Sequence, residues 1–484
     1  MIKLNKLIKY LLITLFIVMP ILDTKFFFSR ITTLGIVFII FFILLLTLID
    51  KKESRKNFKY IFIYYLLCLI YLIINYLHSK GFTSLFPHNF NYSLFREFTT
   101  IIKLTIPITL LYILKYNSMS KKEYINILKY WVIAISGSII ITNIFKISLS
   151  SYTDGTITHN IFEWNKDIYY LFTASKGFFV SANQEACILI MLLTIFIYKF
   201  IEKGIKYLPY LLLLTISMIM LGTRVSTLGG LLVLIFITLF LTIHKKILKQ
   251  KQNKKTLYIL IPIILWITLI PISPYSNRNI ELSVHKNIKP RILYNSSKTT
   301  EEDILTIEKN NEKEEMMKYV DENHNEDRMP EWFYKEYYSY EYDPKFWYGF
   351  VKNNEPYSIN YRMMEINIIK RIKEIDNRKS NILFGISNSR IQNVVNIERD
   401  FVLHYYAFGI IGMIILLLIY PILIIDKIIK LIKNKKDILN IINIFIIGLF
   451  ILCSYLTGNI LNFLTPIIPF IFIISNEILI KKGK

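Results

Sequence analysis

Apolar runs of about twenty residues recur along this chain, separated by short clusters of lysine and arginine, and no other feature constrains its fold so strongly. A run of about that length crosses the hydrocarbon of a bilayer as one helix. No water reaches the backbone there, so each run must satisfy its N–H and C=O groups within itself. The runs fall at about 8–22, 31–49, 60–77, from after 97 to near Ile113, 130–146, 183–198, 207–221, 226–243, 257–272, 401–425, 438–456 and 464–479. Apolar residues make up 54% of the chain and the mean hydropathy is +0.43, well above a soluble domain. The expected fold is an all-α polytopic membrane protein with about twelve transmembrane helices. One large loop outside the cytoplasm joins helices 9 and 10.

The net charge of +23 raises the question of nucleic acid, and its distribution answers it. Residues 273–400 carry 20 Lys+Arg and 22 Asp+Glu, so the excess of +25 lies elsewhere, in short clusters between apolar runs. Seven such clusters, from Lys3, Lys6 and Lys9 to Lys481, Lys482 and Lys484, hold 29 Lys+Arg, whereas the alternate short loops hold seven. This is the positive-inside pattern. It places both termini in the cytoplasm and the long segment outside, and it argues against a nucleic-acid partner. The expected division is 1–272 (helices 1–9), 273–400 (the large loop) and 401–484 (helices 10–12). The first run lacks a small-residue cleavage site and is followed at once by another, so it is expected to be retained. Cys68, Cys187 and Cys453 each lie in an apolar run, which disfavours disulfides and cysteine metal sites. No internal repeat is visible, unlike the transporter folds built from repeated halves.

A connection of about 128 residues is too long to be passive. Its first part is polar and charged, with runs such as Glu312–Glu315. Residues 330–361 are crowded with aromatics, among them Trp332, Tyr337, Phe346 and Trp347. Aromatic faces suit stacking on sugar rings, and the same set suits a belt on the lipid headgroups. Ile366, Ile368, Ile369, Ile372 and Ile375 give 361–378 the spacing of an amphipathic helix. Asn381–Asn388 then reads as a turn back to the membrane.

The helix centres are almost free of charge, whereas a proton- or ion-coupled transporter needs ionisable groups near midplane. The notable polar groups sit at expected outer ends: Asn183, Gln184 and Glu185 on helix 6, Arg224 before helix 8, and Glu398, Arg399 and Asp400 before helix 10. Arg224 is the lone charge from Tyr207 to Ile243. Its guanidinium can fork onto a diphosphate, or simply snorkel as an anchor. Arg96 and Lys103, at the start of helix 4, are further candidates for a lipid phosphate. No His/Cys pair with zinc spacing, no Asp-x-Asp at an outer helix end and no Gly-Lys phosphate loop appears, so neither a metal nor ATP is expected.

Four stretches in order resemble the O-antigen ligase/polymerase family. FFVSANQEACILI, with Asn183, is similar to the Asn-containing motif that opens its core. LGTRVSTLGGLLVLI (221–235) resembles its Ser-Arg-Gly helix start, with Thr223 and Val225 in place of the flanking residues. YRMMEINIIKRIKEIDNRKSNILFGIS (361–387) resembles its loop arginine, helix and glycine turn, placing Arg362 at that arginine. ERDFVLHYYAFGIIG (398–412) is similar to the motif ending in Gly-Ile-Ile-Gly. The resemblance implies transfer of a glycan from a polyprenyl diphosphate to an acceptor hydroxyl, at the outer face of the cytoplasmic membrane and without a cofactor. Arg224 and Arg362 would converge on the diphosphate, and Glu398, Asp400 or His404 would orient or deprotonate the acceptor. Asn183, Glu185, Arg96, Lys103, Trp332 and Trp347 would bind substrate. Where the family's ligases carry histidine, this chain has Glu398, which favours a polymerase over a ligase. A flippase or exporter of lipid-linked sugar is the rival from another class. The partners implied are the lipid-linked oligosaccharide, membrane lipid and, in a polymerase system, a flippase or chain-length regulator.

Overall fold

The computed structural model describes residues 2–85, 91–163, 173–247, 254–279, 312–324, 329–354, 359–395, 397–433 and 438–476. Lys166, Lys249, Lys251, Lys435, Lys436, the three C-terminal lysines and most of the charged first part of the long segment lie outside the described residues. Among the described residues there is no regular strand, only three isolated bridges. The helices are α1 (Ile2–Leu22), α2 (Arg30–Asp50), α3 (Lys52–Ser79), α4 (Leu94–Tyr116), α5 (Lys121–Ile144), α6 (Ala182–Lys203), α7 (Leu208–Leu221), α8 (Gly230–Ile247) and α9 (Leu260–Leu269). Within and after the long segment come α10 (Lys313–Asn323), α11 (Pro344–Asn353), α12 (Tyr361–Asp376), α13 (Asn381–Phe384), α14 (Asn388–Val394), α15 (Asp400–Leu417), α16 (Ile419–Lys433), α17 (Ile438–Leu456) and α18 (Leu464–Ile474).

The chain is an all-α multi-pass membrane protein. Ten helical segments among the described residues are long and apolar enough to cross a bilayer. Two shorter apolar helices, Ile205–Leu221 and Leu464–Ile474, fall at the seventh and twelfth expected runs. Helix starts differ most from the sequence reading. α5 begins at Lys121 rather than near 130, because Ser120 and Glu123 close a reciprocal capping box there. α3 begins at Lys52 and takes Arg55, Lys56 and Lys59 into its first turns. Apolar runs mark what the lipid needs, whereas caps mark where the backbone can start. The expected tenth helix is two helices, α15 and α16, with a break in the backbone at Gly409 inside the first.

Two compact units make up the chain: unit 1 is 1–66, 102–281 and 417–484, and unit 2 is 67–101 and 282–416. Unit 2 therefore takes in not only the long segment but the end of α3, the start of α4 and nearly all of α15.

In unit 1, α6 is the central helix: every residue from Gln184 to Ile197 is buried. The aromatics Phe16, Trp131 and Phe472 pack together beside it, and Trp131 Nε1 donates to the Phe16 carbonyl at 2.7 Å. Polar pairs tie apolar helices where lipid offers no hydrogen bonds. Ser217 on α7 donates to Ser136 on α5 at 2.9 Å, and Asn443 and Asn476 exchange amide hydrogen bonds at 3.1 and 3.0 Å.

In unit 2, α10, α11 and α12 form a small lobe around aromatic side chains. Tyr319 and Tyr348 meet edge to face at 4.9 Å, and Trp347 is fully buried with its Nε1 donating to the Tyr338 carbonyl at 2.6 Å. Arg371 forks onto both oxygens of Asp343 at 2.7 and 3.1 Å, and the Tyr338 hydroxyl donates to the same carboxylate at 2.8 Å. α12 follows the expected spacing: Asn360 caps it, and Met364, Ile368, Ile369 and Ile372 are buried along one face.

Candidate active site

The N-terminal turn of α12 carries Arg362 outward, because Met364, two positions on, is turned to the core. The segment returning from the lobe brings Glu398 beside it. Arg362 Nε donates to Glu398 Oε2 at 2.7 Å, and its Nη2 lies 2.7 Å from the same oxygen. The two side chains remain 34% and 40% exposed, so the pair stands open to whatever approaches it. A charged fork on one oxygen is strong and directional, yet in this half-open setting it exchanges readily for another anion. One turn further along α12, Glu365 is buried. Burial, and the neighbouring Glu398 carboxylate, push the Glu365 carboxyl up to about 8. The Glu398 backbone N–H and the Arg362 charge pull it the other way without cancelling that shift.

Asp400 and His404 follow on the first turns of α15 and are both fully buried. His404 Nδ1 lies 2.6 Å from the Asp400 carbonyl, one turn back, and its ring packs against Phe408 at 5.7 Å. In this arrangement His404 behaves as a core side chain, whereas Glu398 is the acidic group that faces out. Arg96, near the start of α4, points its Nη1 at Asn393 Oδ1 2.5 Å away. Beside it stands Glu97, a residue that sequence reasoning passed over. Glu97 is fully buried and accepts from the Ser389 backbone N–H at 2.6 Å, capping the short helix α14. Arg390, also passed over, lies buried with its guanidinium 4.3 Å from the Phe82 ring and 5.6 Å from the Tyr92 ring, and donates to the Ser79 carbonyl at 3.0 Å. A carboxylate near an apolar helix start was the available signal for Glu97. Arg390 looked like any loop arginine.

The glycine motifs quoted from the sequence meet each other here. Gly385 and Gly409 have φ of 74° and 63°. A Cβ on Gly385 would lie 2.3 Å from the Ala407 carbonyl oxygen, and one on Gly409 would lie 2.4 Å from Leu383 carbonyl atoms. Ile386 N–H donates to the Tyr406 carbonyl at 2.8 Å, and the Tyr71 hydroxyl donates to the Phe408 carbonyl at 2.7 Å. Only glycine permits this backbone crossing.

The lobe's aromatics divide in two. Trp347, expected to bind substrate, has its ring enclosed in the lobe core, so as packed neither face can take a sugar. Trp332 is 38% exposed, Tyr337 44% and Tyr361 46%, and the Trp332 ring lies 5.0 and 5.9 Å from theirs. Tyr361 immediately precedes Arg362, so this platform adjoins the ion pair.

Unit 1 holds the remaining candidates. Gly222, with φ 69°, ends α7 and packs against Pro274 and Ala174. Thr223 Oγ1 then accepts from the Ser226 N–H at 3.0 Å and starts the next helical turn. Between them Arg224 is exposed, with no hydrogen bond or ion pair among the described residues. Arg278 stacks on Tyr152 at 4.9 Å and donates to its hydroxyl at 3.2 Å, while that hydroxyl donates to the Gly222 carbonyl at 3.0 Å. Sequence reasoning missed this second arginine near the Arg224 turn. Asn183 is half-buried at the start of α6, and Lys103 is half-buried on α4. Glu185 is buried and lines the same small cavity as buried Asp23, which accepts a hydrogen bond from Thr465 Oγ1. Burial lifts Asp23 to about 6.

The arrangement supplies an exposed guanidinium–carboxylate pair beside an aromatic platform in unit 2. In unit 1 it supplies an exposed arginine with no ion pair among the described residues. No curated protein and no solved structure matches the chain. The model of the O-antigen ligase-like membrane proteins matches residues 5–482, nearly the whole chain, and the protein belongs to that family.

Proposed function

We propose that the protein is a polymerase that joins polyprenyl-diphosphate-linked oligosaccharide repeat units into a surface polysaccharide, at the outer face of the cytoplasmic membrane. The observation that carries this reading is the Arg362–Glu398 pair, half-exposed at 2.7 Å and adjoining Trp332, Tyr337 and Tyr361. An acceptor hydroxyl oxygen attacks the anomeric carbon. The carbon–oxygen bond to phosphate breaks, and its electron pair leaves with the polyprenyl diphosphate. Glu398 takes the hydroxyl proton, and the Arg362 guanidinium stabilises charge on the departing diphosphate. Trp332 supports a sugar ring of the growing chain. Arg224 anchors the anionic headgroup of a lipid-linked substrate.

Ligation of finished glycan to another acceptor is the second reading, and the family's own description favours it. Glu398, where the family's ligases resemble one another in carrying histidine, favours polymerisation.

Complementation of a strain deleted for this gene tests the proposal. Arg362→Ala and Arg224→Ala are expected to lose surface polymer by about 100-fold at normal protein level, the cost of removing one preorganised transition-state donor. Glu398→Gln is expected to lose comparable activity. Full-length polymer from all three variants would refute the mechanism. Polymer of normal length that is not attached to its acceptor in the deletion strain would identify a ligase.

A further inference from the structure

We infer that Tyr152 is a positioning residue for this reaction: its hydroxyl pins the Gly222 carbonyl, and through that peptide it sets the direction in which Arg224 meets the anionic headgroup. The inference rests on the transfer reading above and adds to it a residue that no motif pointed to. Arg224 is exposed and makes no hydrogen bond or ion pair among the described residues, so its direction comes from the backbone that carries it. That backbone is a break between helices. Gly222 ends α7 with φ 69°, and the Ser226 N–H, which an unbroken helix would give to the Gly222 carbonyl, goes to Thr223 Oγ1 instead. Three successive carbonyls at this end of α7 are taken by residues from the connection between α5 and α6. Met220 accepts from the Ser175 N–H at 2.9 Å, Leu221 from the Ser151 hydroxyl at 2.8 Å and Gly222 from the Tyr152 hydroxyl at 3.0 Å.

Only the third of these bonds acts on the peptide that leads into Arg224. The Gly222 carbonyl and the Thr223 N–H share one plane, so a turn of that plane re-aims the two residues that follow. Glycine is the residue whose backbone resists such a turn least. Thr223 is buried and its carbonyl already accepts from the Thr227 N–H at 2.8 Å, which fixes the far side of Arg224. Tyr152 fixes the near side, and it is itself held. Arg278 Nη1 donates to the Tyr152 hydroxyl at 3.2 Å, with the guanidinium 4.9 Å from the ring centroid. A phenol that accepts from a cation has one proton to give, and it gives it to Gly222, in a bond that the neighbouring charge strengthens. Tyr152, Gly222, Arg224 and Arg278 all belong to unit 1. The guanidinium of Arg224 is thus aimed before substrate arrives, and less freedom is lost when the headgroup binds.

The full-length protein in lipid vesicles, titrated with lipid-linked glycan extracted from producing cells, provides the assay, read as initial rate of polymer formed. Tyr152→Phe keeps the ring under Arg278 and removes only the hydroxyl. It is expected to raise the apparent KM for the lipid-linked glycan about tenfold and to change kcat by less than about twofold, the signature of lost substrate binding. An unchanged KM, or a fall in kcat alone, overturns the inference. A double-mutant cycle supplies the readout that a merely structural role would not move. If Tyr152 acts through Arg224, then adding Tyr152→Phe to Arg224→Ala should lower kcat/KM by less than about twofold further. A further loss of about tenfold, equal to that in the wild-type background, overturns the inference. Should Tyr152→Phe not accumulate, Arg278→Ala carries the same cycle. It is expected to raise KM about threefold alone and to add nothing to Arg224→Ala, since it loosens Tyr152 without removing the hydroxyl. Additive loss, or none in either background, overturns the inference by this route as well. The two levels of the argument fail differently. Wild-type kcat/KM in Arg224→Ala refutes the role of Arg224 in transfer, and the inference with it, whereas additive losses refute the inference alone.

Discussion

At the scale of single residues, the two tryptophans of the lobe show how little identity says without burial. Trp347 is enclosed and bonded to the Tyr338 carbonyl, whereas Trp332 shows more than a third of its surface. Trp347→Ala is expected to cost about 3–5 kcal/mol through the cavity it leaves, seen as a lower unfolding midpoint and reduced accumulation. Trp332→Ala should leave the midpoint nearly unchanged. Its deficit should appear instead as weaker capture of glycan acceptor in the membrane assay, as a rise in the apparent KM for added oligosaccharide. Equal loss of stability from both substitutions would remove Trp332 from the substrate platform.

At the scale of elements, the crossing of the 383–387 turn over the break in α15 is the least forgiving contact. Each glycine sits at a φ that side chains rarely adopt, with backbone atoms where a Cβ would stand. Gly385→Ala and Gly409→Ala are each expected to destabilise by about 1–3 kcal/mol from backbone strain alone, before the clash is counted. Gly448, in the middle of α17, has open space for a Cβ, with no atom within 4 Å of it, so Gly448→Ala should be neutral or gain about 0.5–1 kcal/mol. Unfolding midpoints of the purified variants in detergent separate these outcomes. α12 offers the converse lesson. Its apolar spacing is plain in the sequence, and the helix forms as expected, but the same spacing hides that Glu365 faces the core with the isoleucines.

For the molecule as a whole, the alternating lysine clusters make a topological prediction. In intact cells an impermeant maleimide should label Glu314→Cys in the long segment, whereas Lys121→Cys at the start of α5 should react only after lysis. Cys68, Cys187 and Cys453 are buried, so the native background is low. Labelling in the opposite order would invert the protein and place the proposed reaction in the wrong compartment. Membrane residence and the run of apolar helices were legible from residue types alone, because hydrocarbon imposes one answer on any twenty-residue apolar run. The same holds for α12, whose period is local. The order of the four motifs, too, could be read along the chain, and the family match over nearly its full length agrees with it. What the chain alone left open was which polar groups meet and which are buried. That Arg362 faces Glu398, that His404 and Trp347 are enclosed, and that Glu97 caps α14 all depend on segments far apart in sequence. Whether a carboxyl group is a solvated charge or a held proton is set by neighbours brought from elsewhere, and only the tertiary fold supplies them.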